Sequence, residues 1–500
     1  MKRELRWYDY VTTNIYFLGL SVSNQTLLPL VLPLLVQQFV GEEQQGTYFG
    51  VLRLWGLMVA LLAQALWGML SDRTRLRWGR RRPYIFFGTL GDLVFVAGIV
   101  ASLTMVGMAG FWFLFVVYLG LQIASNAAQA AAQALIPDLI PEAKRGRFSG
   151  VKALFEVPLP VLLVSFAIAP LLGQGNTLGG LLVMSGVLVT SMLVTLGVPE
   201  EPLKREPPPL NWEPFVRLLL MTAIFTAIIL GMREGVVTVG HWLERREAAR
   251  WLLVGGMGAV GLAAMGVCIG LGVWASVRVS IGKTHTGDRR SFIWWVINRL
   301  AFLVSATNLS GFVLYFIQTR LGLTRETAAE PAGRVMLVVG VALLLSALPS
   351  GWLCDKWGRK RVTGATGLVA ALGTLILLLS PSLGAIYVGG AVVGLATGAF
   401  YASSWALGTQ LVPEEEAARY LGIANLSGAG AGAIGAYLCG PIADYFTRLL
   451  PEARGLGYTL IFALFGLLFL GSTISLLPVR VTWSGEASSD SVDLTSSTTL

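Results

Sequence analysis

Fourteen apolar stretches, separated by short loops that carry most of the basic residues, dominate this sequence. An α-helix rises 1.5 Å per residue, so about 20 apolar residues span the roughly 30 Å hydrocarbon core of a bilayer. Charged residues make up only 13% of the 500-residue chain, against about 25% in soluble proteins. Because so few polar side chains cannot cover soluble domains, the sequence predicts an all-α integral membrane protein.

Two sets of six spans flank one extra pair. The first set lies at 12–39, 48–70, 84–106, 110–136, 149–172 and 178–198. The second set lies at 291–317, 335–353, 363–379, 385–410, 421–446 and 457–478. We therefore expect 14 transmembrane helices in four parts: an N-terminal six-helix bundle over 1–198, linkers and an inserted peripheral hairpin (about 214–238 and 251–277) over 199–290, a C-terminal six-helix bundle over 291–478, and a disordered cytoplasmic tail over 479–500.

Two motifs recur at matching places in the two sets. The first is Gly68-Met-Leu-Ser-Asp72-Arg73 with Gly79-Arg80-Arg81 after it, and its counterpart is Gly351-Trp-Leu-Cys-Asp355-Lys with Gly358-Arg359 after it. The second motif spans 139–150, which contains Glu142 and Arg147, and its counterpart spans 411–422, which contains Glu414 and Arg419. Repeats of six spans are found among secondary transporters, so these motifs predict a duplicated bundle.

The repeated aspartates lie where an apolar helix meets a basic loop. Such a carboxylate can accept hydrogen bonds from the N–H groups of a neighbouring helix end and pair with arginine, which would hold the two bundles together on the inner side. The alternative is that the basic residues only set the topology. We favour a cytoplasmic gate made of Gly68, Asp72, Arg73, Gly79, Arg80, Arg81, Asp355, Gly358, Arg359, Glu142, Arg147, Glu414 and Arg419.

The distribution of basic residues gives the orientation. With the N-terminus inside, the inner loops and tails hold 24 of the 37 Lys and Arg residues and the outer loops hold 8. Basic residues favour the cytoplasmic side, which predicts a protein of the plasma or inner membrane with both termini in the cytoplasm. The basic residues do not form one continuous face, so the net charge of +9 does not indicate nucleic-acid binding.

Cysteine and histidine are too sparse for a metal site. The three cysteines lie far apart, and the chain has only two histidines. No catalytic constellation is present either, so the sequence predicts no metal, no cofactor and no enzyme.

One span carries a stripe of amides. Gln122, Asn126, Gln129 and Gln133 are spaced by 4, 3 and 4 residues, which places them on one helix face. Amides both donate and accept hydrogen bonds, so this face could line a cavity that binds hydroxyl-rich or zwitterionic solutes. The alternative is hydrogen bonding between neighbouring helices.

Two further groups complete the predicted substrate cavity. Asn24 and Gln25 stand beside two prolines, which predicts a broken helix with substrate contacts. Tyr401, Trp405 and Thr409 share one helix face, where the aromatic rings could stack on a sugar or simply pack in the core.

Three charged residues lie inside spans, roughly 10–12 Å from the inner helix ends: Asp92, Glu156 and Arg299. Charges at this depth are unfavourable and indicate function. Arg299 also belongs to the predicted cavity, and its pairing with Glu156 or Asp92 is a candidate coupling switch. The alternatives are a static structural pair, or an Asp92 that reaches the basic loop. Arg53 and the other cations near span ends are expected to reach the membrane surface.

These motifs resemble those of the major facilitator superfamily. The segment from Gly68 to Tyr84, with its long loop, is similar to that of the glycoside–pentoside–hexuronide cation symporters and of the related sucrose-transporter-like branch. The segments 135–142 and 405–413 are similar to loop motifs of the same branch. The resemblance covers both bundles but not the hairpin. It implies alternating access around a central cavity lined mainly by the first, fourth, seventh and tenth helices of the two bundles.

The chain departs from this pattern at the coupling residues. Melibiose-permease-like members carry acidic cation ligands on helices two and four, and the corresponding spans here contain none. Relatives often have aspartate where Gln410 stands. Both departures concern positions through which such relatives couple transport to sodium or protons.

The expected function is therefore secondary active or facilitative transport of a small polar solute, a sugar or glycoside by resemblance, with Na⁺ or H⁺ as the ion if transport is coupled. One alternative is an exporter or flippase of amphiphilic molecules, which would need a broad apolar cavity open to lipid. The other is a non-transporting membrane assembly factor. We expect a monomer in a lipid bilayer, with the solute as its partner.

Overall fold

The computed structural model describes residues 6–200, 211–247, 249–281, 289–411, 417–453 and 455–480. These residues form helices joined by short turns, with no strand among them. Thirteen helices of the described part are long and apolar enough to cross a membrane. A further helix, Ala417–Leu449, stands where the span 421–446 is predicted. The all-α membrane fold is thus confirmed, and the predicted count of 14 spans is close to the count found.

Each predicted span corresponds to a helix, and the helices are numbered in chain order. The N-terminal bundle contains α1 Trp7–Val40, α2 Gln45–Ser71, α3 Arg82–Ser102, α4 Gly107–Leu139, α5 142–173 and α6 Thr177–Leu196. The inserted pair is α7 Glu213–Arg245 and α8 Arg250–Ile281. The C-terminal bundle contains α9 289–321 with an interruption at Phe312, α10 Ala329–Trp357, α11 Arg359–Leu379, α12 Leu383–Leu411, α13 Ala417–Leu449 and α14 Leu456–Ser475.

Several helices extend well beyond the predicted apolar spans. The inserted helix α7 continues to Arg245, whereas its span is predicted to end at 238. Helix α10 begins at Ala329, six residues before its predicted start. Polar residues at the ends of α7 and α10 continue the helix, so hydropathy alone underestimates helix length. The predicted tail beyond 480 lies outside the described residues.

Helix α1 continues through its prolines instead of breaking. A π-helical turn, Leu27–Val31, follows Gln25 and contains Pro29. Proline lacks an N–H donor and its ring collides with the carbonyl four residues back, and the wider turn relieves this collision. Helix α5 has a similar π-helical turn at Val164–Ile168. The predicted break in α1 is therefore wrong, because the proline produces a local widening.

The inserted hairpin packs mainly on the C-terminal bundle. Helices α7 and α8 contact each other and α13, and α8 also contacts α9 and α14. Helix α7 additionally contacts α2 of the N-terminal bundle.

Small residues bring α2 and α13 into backbone contact. A Cβ built on Gly50 would lie 2.5 Å from the carbonyl oxygen of Ala436, and one built on Gly46 would lie 2.7 Å from that of Gly440. A Cβ on Gly432 would similarly crowd Leu57. Small residues allow membrane helices to approach this closely. The backbones of α2 and α13, one helix from each bundle, are therefore in direct contact at these glycines.

Candidate functional site

The two ends of the helix bundle differ in composition. The end that contains the loop 72–81 is called the basic end below, and the end that contains the loops 41–44 and 322–328 is called the opposite end. Contacts at the opposite end determine where the two bundles are held together.

At the opposite end, Asp444 of α13 binds the first turn of α2. Its carboxylate accepts hydrogen bonds from the backbone N–H groups of Gly46 at 2.9 Å and Thr47 at 2.6 Å. The aspartate is buried. The start of a helix carries a partial positive charge and unpaired N–H groups, so this carboxylate fastens one bundle to the other.

A buried arginine crosses the same interface. Arg53 of α2 is 3% exposed and donates a hydrogen bond of 3.2 Å to the Asn308 side chain of α9. Asn308 in turn donates to the carbonyl of Ala431 in α13 at 3.1 Å. Gly311 and Gly432 leave the space that the guanidinium occupies. The expectation that Arg53 reaches the membrane surface is wrong, because these glycines admit it between the bundles.

Other hydrogen bonds join the bundles nearby. Tyr315 donates to the carbonyl of Pro33 at 2.9 Å. Ser165, in the π-helical turn of α5, donates to the carbonyl of Gly333 at 2.8 Å. All four residues lie in the half of their helix that is nearer the opposite end, so the bundles are fastened to each other there.

The first repeated motif forms a cluster inside the N-terminal bundle. Arg81 pairs with Asp72 and also with Asp138 at 2.8 Å, and Arg80 pairs with Asp138. Burial alone would lower the pKa of Arg81, but hydrogen bonds and the charges of Asp138 and Asp72 raise it above its usual value. Among the described residues, the aspartate of the motif therefore binds within its own bundle, and its role in holding the two bundles together stays a prediction.

The second copy of the motif has fewer bonds. Asp355 is exposed and has no hydrogen bond or ion pair among the described residues. Arg359 donates to the carbonyl of Ala406 at 3.0 Å. Gly79 and Gly358 have φ of +112° and +88°, a region that favours glycine, which explains this residue in both copies.

The remaining predicted gate residues are less informative. A Cβ built on Gly68 meets nothing within 4 Å. Arg73 takes part in an interaction, and Arg147 is exposed. Glu414 lies outside the described residues, and so do the side chains of two others, Glu142 and Arg419.

Arg299 is the buried cation of the predicted cavity. It lies on α9 and is 9% exposed. Its guanidinium carbon lies 5.9 Å from the ring centre of Trp295 and 5.7 Å from that of Trp405. Its Nε and Nη1 atoms are buried and have no hydrogen-bond partner among the described residues. The guanidinium thus lies within 6 Å of two indole rings.

The predicted acidic partners of Arg299 bind elsewhere. Glu156 pairs with Lys152 at 3.1 Å, one helical turn away on α5, and Lys152 also lies over the Phe17 ring of α1. Asp92 is 3% exposed in α3 and interacts with Ser125 of α4 in the same bundle. In this structure neither acid pairs with Arg299, and burial keeps Asp92 away from the basic loop.

The amide stripe is partly bonded within its own helix. Gln122 donates to the hydroxyl of Tyr118 at 2.6 Å, and Asn126 donates to the carbonyl of Gln122 at 2.8 Å. Gln133 accepts from Gln64 of α2 at 3.3 Å, which is the interhelical bonding that the alternative interpretation predicts. Gln129 is partly buried, and the described residues offer it no hydrogen-bond partner.

The other predicted cavity residues remain accessible. Asn24 is exposed and Gln25 is partly buried on α1. Tyr401 and Trp405 are each 43% exposed on α12. Thr409 is also exposed and donates to the carbonyl of Ala406. Trp405 and Arg299 are brought together by α9 and α12, two helices that the resemblance assigns to the central cavity.

The difference between the two motif copies gives a testable prediction. The substitution Arg81→Gln removes charge-assisted hydrogen bonds to two carboxylates, which should lower the free energy of unfolding by about 2 kcal/mol. Replacing Arg359→Gln removes one bond to a backbone carbonyl, a loss of about 1 kcal/mol. Thermal unfolding of the two purified variants should therefore show the larger drop for Arg81→Gln, and equal drops would contradict the assignment.

Comparisons with known proteins cover both bundles. A family model described as "MFS/sugar transport protein" matches residues 45–202. A second, described as "Major Facilitator Superfamily", matches residues 294–491. The first match covers α2 to α6, and the second runs from α9 through α14.

Curated relatives match over part of their length. The minor myo-inositol transporter IolF of Bacillus subtilis is 33% identical over 136 residues, which cover 27% of this chain and 29% of that protein. An uncharacterised MFS-type transporter of Mycobacterium tuberculosis is 25% identical over 381 residues, which cover 74% of this chain and 50% of that protein. The chain therefore spans half or less of these relatives.

Solved structures share the fold at low identity. A crystal structure of the nucleoside transporter NupG gives a TM-score of 0.62 at 12% identity, covering 94% of this chain and 99% of that one. A peptide transporter POT in complex with sulfate gives 0.63 at 15% identity, covering 95% of each. At such identities the likeness concerns the fold alone. The two family matches, over residues 45–202 and 294–491, show that the chain belongs to the major facilitator superfamily.

Proposed function

We propose that this protein carries a small polar solute across the membrane by alternating access between its two bundles. The observation that carries this proposal is the fastening of the bundles at the opposite end by Asp444 and Arg53. Contacts between the bundles at one end favour a state that is open toward the other end.

A sugar or polyol is the solute class that we propose. One relative is named a myo-inositol transporter, and the matched family model for 45–202 is described as a sugar transport protein. Gln129, Tyr401 and Trp405 offer an amide, a hydroxyl and exposed rings, and such groups bind hydroxyl-rich solutes. Gates at both ends, with the motif of Asp72 at the basic end, would open this site to one side at a time.

We also propose the orientation and the membrane. The basic end lies in the cytoplasm, because the inner loops hold 24 of the 37 basic residues. The structure then corresponds to the state open to the cytoplasm in a plasma or inner membrane.

An amphiphile transporter is the second candidate, and one feature favours it. A groove of about 450 Å³ lies on the N-terminal bundle, lined by apolar side chains that include Trp67, Phe87, Phe95 and Ile123. Phe87 is largely exposed beside it. In a membrane this groove would face lipid, where an acyl chain could enter.

The test is uptake into proteoliposomes from a panel of glycosides, polyols and lysolipids, with and without Na⁺ and proton gradients. We expect polyol or sugar uptake, with lysolipid movement indistinguishable from protein-free vesicles. The gradients identify the coupling ion, or identify facilitated diffusion if uptake is unchanged without them. Uptake of lysolipids alone would favour the second candidate, and no flux of any solute would favour an assembly factor.

Arg299→Ala should reduce solute flux at least ~tenfold at normal expression, because a buried charge beside the solute path contributes directly to binding. The matched control is Arg217→Ala on the inserted helix α7, where the arginine is exposed and paired with Glu213. This control should leave flux unchanged. Near-normal flux in Arg299→Ala would remove the residue from the site.

A further inference from the structure

The charge of Arg299 has no counter-charge among the described residues. Its Nε and Nη1 atoms have no partner among the described residues, although the side chain is 9% exposed. A charge that is removed from water without a partner is strongly unfavourable. The site therefore has one uncompensated positive charge, which an anionic group of a ligand could neutralise.

Neither of the two predicted acidic partners neutralises this charge. Glu156 is neutralised by Lys152 at 3.1 Å. Asp92 is buried in the N-terminal bundle, where it interacts with Ser125. The pair on α5 therefore contributes no net charge, and the positive charge of Arg299 is not offset by either acid.

The two indole rings compensate the cation only in part. Trp295 and Trp405 lie within 6 Å of the guanidinium, a distance at which the negative face of a ring attracts a cation. Trp295 is anchored, because it is fully buried and its Nε1 donates to the carbonyl of Ser404 at 3.0 Å. Trp405 is 43% exposed and has no such anchor among the described contacts. Trp405 is thus the ring that can be displaced.

We infer that the transported solute carries one carboxylate, which binds Arg299 by displacing the ring of Trp405. This inference rests on the proposed transport function and narrows its solute class to polyhydroxylated monocarboxylates. A planar guanidinium binds a carboxylate through two parallel hydrogen bonds. One unpaired arginine matches one negative charge, whereas a phosphate monoester carries up to two at neutral pH. The hydroxyl groups of the solute would bind the amide and phenol groups across the cavity.

The test compares gluconate with sorbitol, which has the same carbon chain and hydroxyl pattern but an alcohol in place of the carboxylate. Binding to the purified full chain is measured by calorimetry, and uptake is measured in proteoliposomes. Glucose 6-phosphate is the phosphate monoester that is compared in both measurements. We expect gluconate to bind at least ~tenfold more tightly than sorbitol or the phosphate. In Arg299→Gln the preference for gluconate should disappear, and Arg299→Lys should retain part of it, because lysine keeps the charge without the two-pronged geometry.

Trp405→Phe separates displacement of the ring from a structural role. Phenylalanine binds cations less well than tryptophan, so gluconate should compete with a weaker ring, and the ratio of gluconate affinity to sorbitol affinity should rise. Equal binding of gluconate and sorbitol, or a preference that survives in Arg299→Gln, would overturn the inference. If sorbitol is bound and carried as well as gluconate, the transport proposal stands and only the carboxylate is rejected. If gluconate binds selectively but nothing crosses the vesicle membrane, the transport proposal fails and the carboxylate site remains.

Discussion

A disulfide between two introduced cysteines, Val161→Cys on α5 and Gly340→Cys on α10, should abolish solute flux. A reductant should restore the flux fully. The two positions belong to different bundles, and a Cβ built on Gly340 lies 3.5 Å from the Cβ of Val161. Disulfides form at Cβ separations of about 3.5–4.5 Å. Because alternating access requires the bundles to separate at the opposite end, a covalent bond there should reduce uptake to the level of protein-free vesicles.

The chain provides a matched control for this cross-link. Gly98 of α3 and Val117 of α4 form the same pair of residue types, with a Cβ separation of 3.6 Å, but both lie in the N-terminal bundle. The disulfide Gly98→Cys with Val117→Cys should therefore leave flux close to normal. Both pairs are made in a background in which the three native buried cysteines are replaced by alanine. Persistent flux through the Val161–Gly340 cross-link would contradict rocking of the bundles.

The sequence predicts the architecture well because each span can be identified locally. Hydropathy places every helix, and the copies of the Asp72 motif reveal the duplication without any knowledge of contacts. The glycines at 79 and 358 are also understood locally, since both have positive φ. The contacts between the bundles are different, because they depend on which helix faces meet.

Arg53 shows what the sequence alone does not provide. Its position eight residues into α2 marks it as unusual, but its partner, Asn308, is 255 residues away, and the space for it comes from Gly311 and Gly432. Such a contact becomes visible only when the register of α2 against α9 and α13 is known.

Two contacts at the central site could be predicted from the spacing of residues along one helix. Lys152 lies four residues before Glu156, and this spacing favours an ion pair along one helix. Trp295 lies four residues before Arg299, and the same spacing favours the contact between ring and cation. The contact between Trp405 and Arg299 could not be predicted in this way, because it depends on how α9 and α12 pack.

Asp444→Asn should make the opposite end open about 30-fold more often. The amide can still accept one hydrogen bond, but its NH₂ group cannot accept the second from the first turn of α2. Losing charge-assisted bonds to the helix start removes about 2 kcal/mol from the closed arrangement, which corresponds to a ~30-fold change in equilibrium. The readout is the reaction rate of a thiol reagent with Gln318→Cys, because Gln318 is 6% exposed beside a cavity of about 760 Å³ at this end.

Asp92→Asn is the matched control for this measurement. Asp92 is also a buried membrane aspartate, but it interacts within the N-terminal bundle and not across the interface. Its replacement should leave the labelling rate of Gln318→Cys unchanged. The labelling rate is proportional to the open population even when that population is small, so the comparison does not require the open state to be abundant. A rate that rises equally in both variants would mean general loosening of the fold, and an unchanged rate in Asp444→Asn would mean that this carboxylate does not hold the opposite end closed.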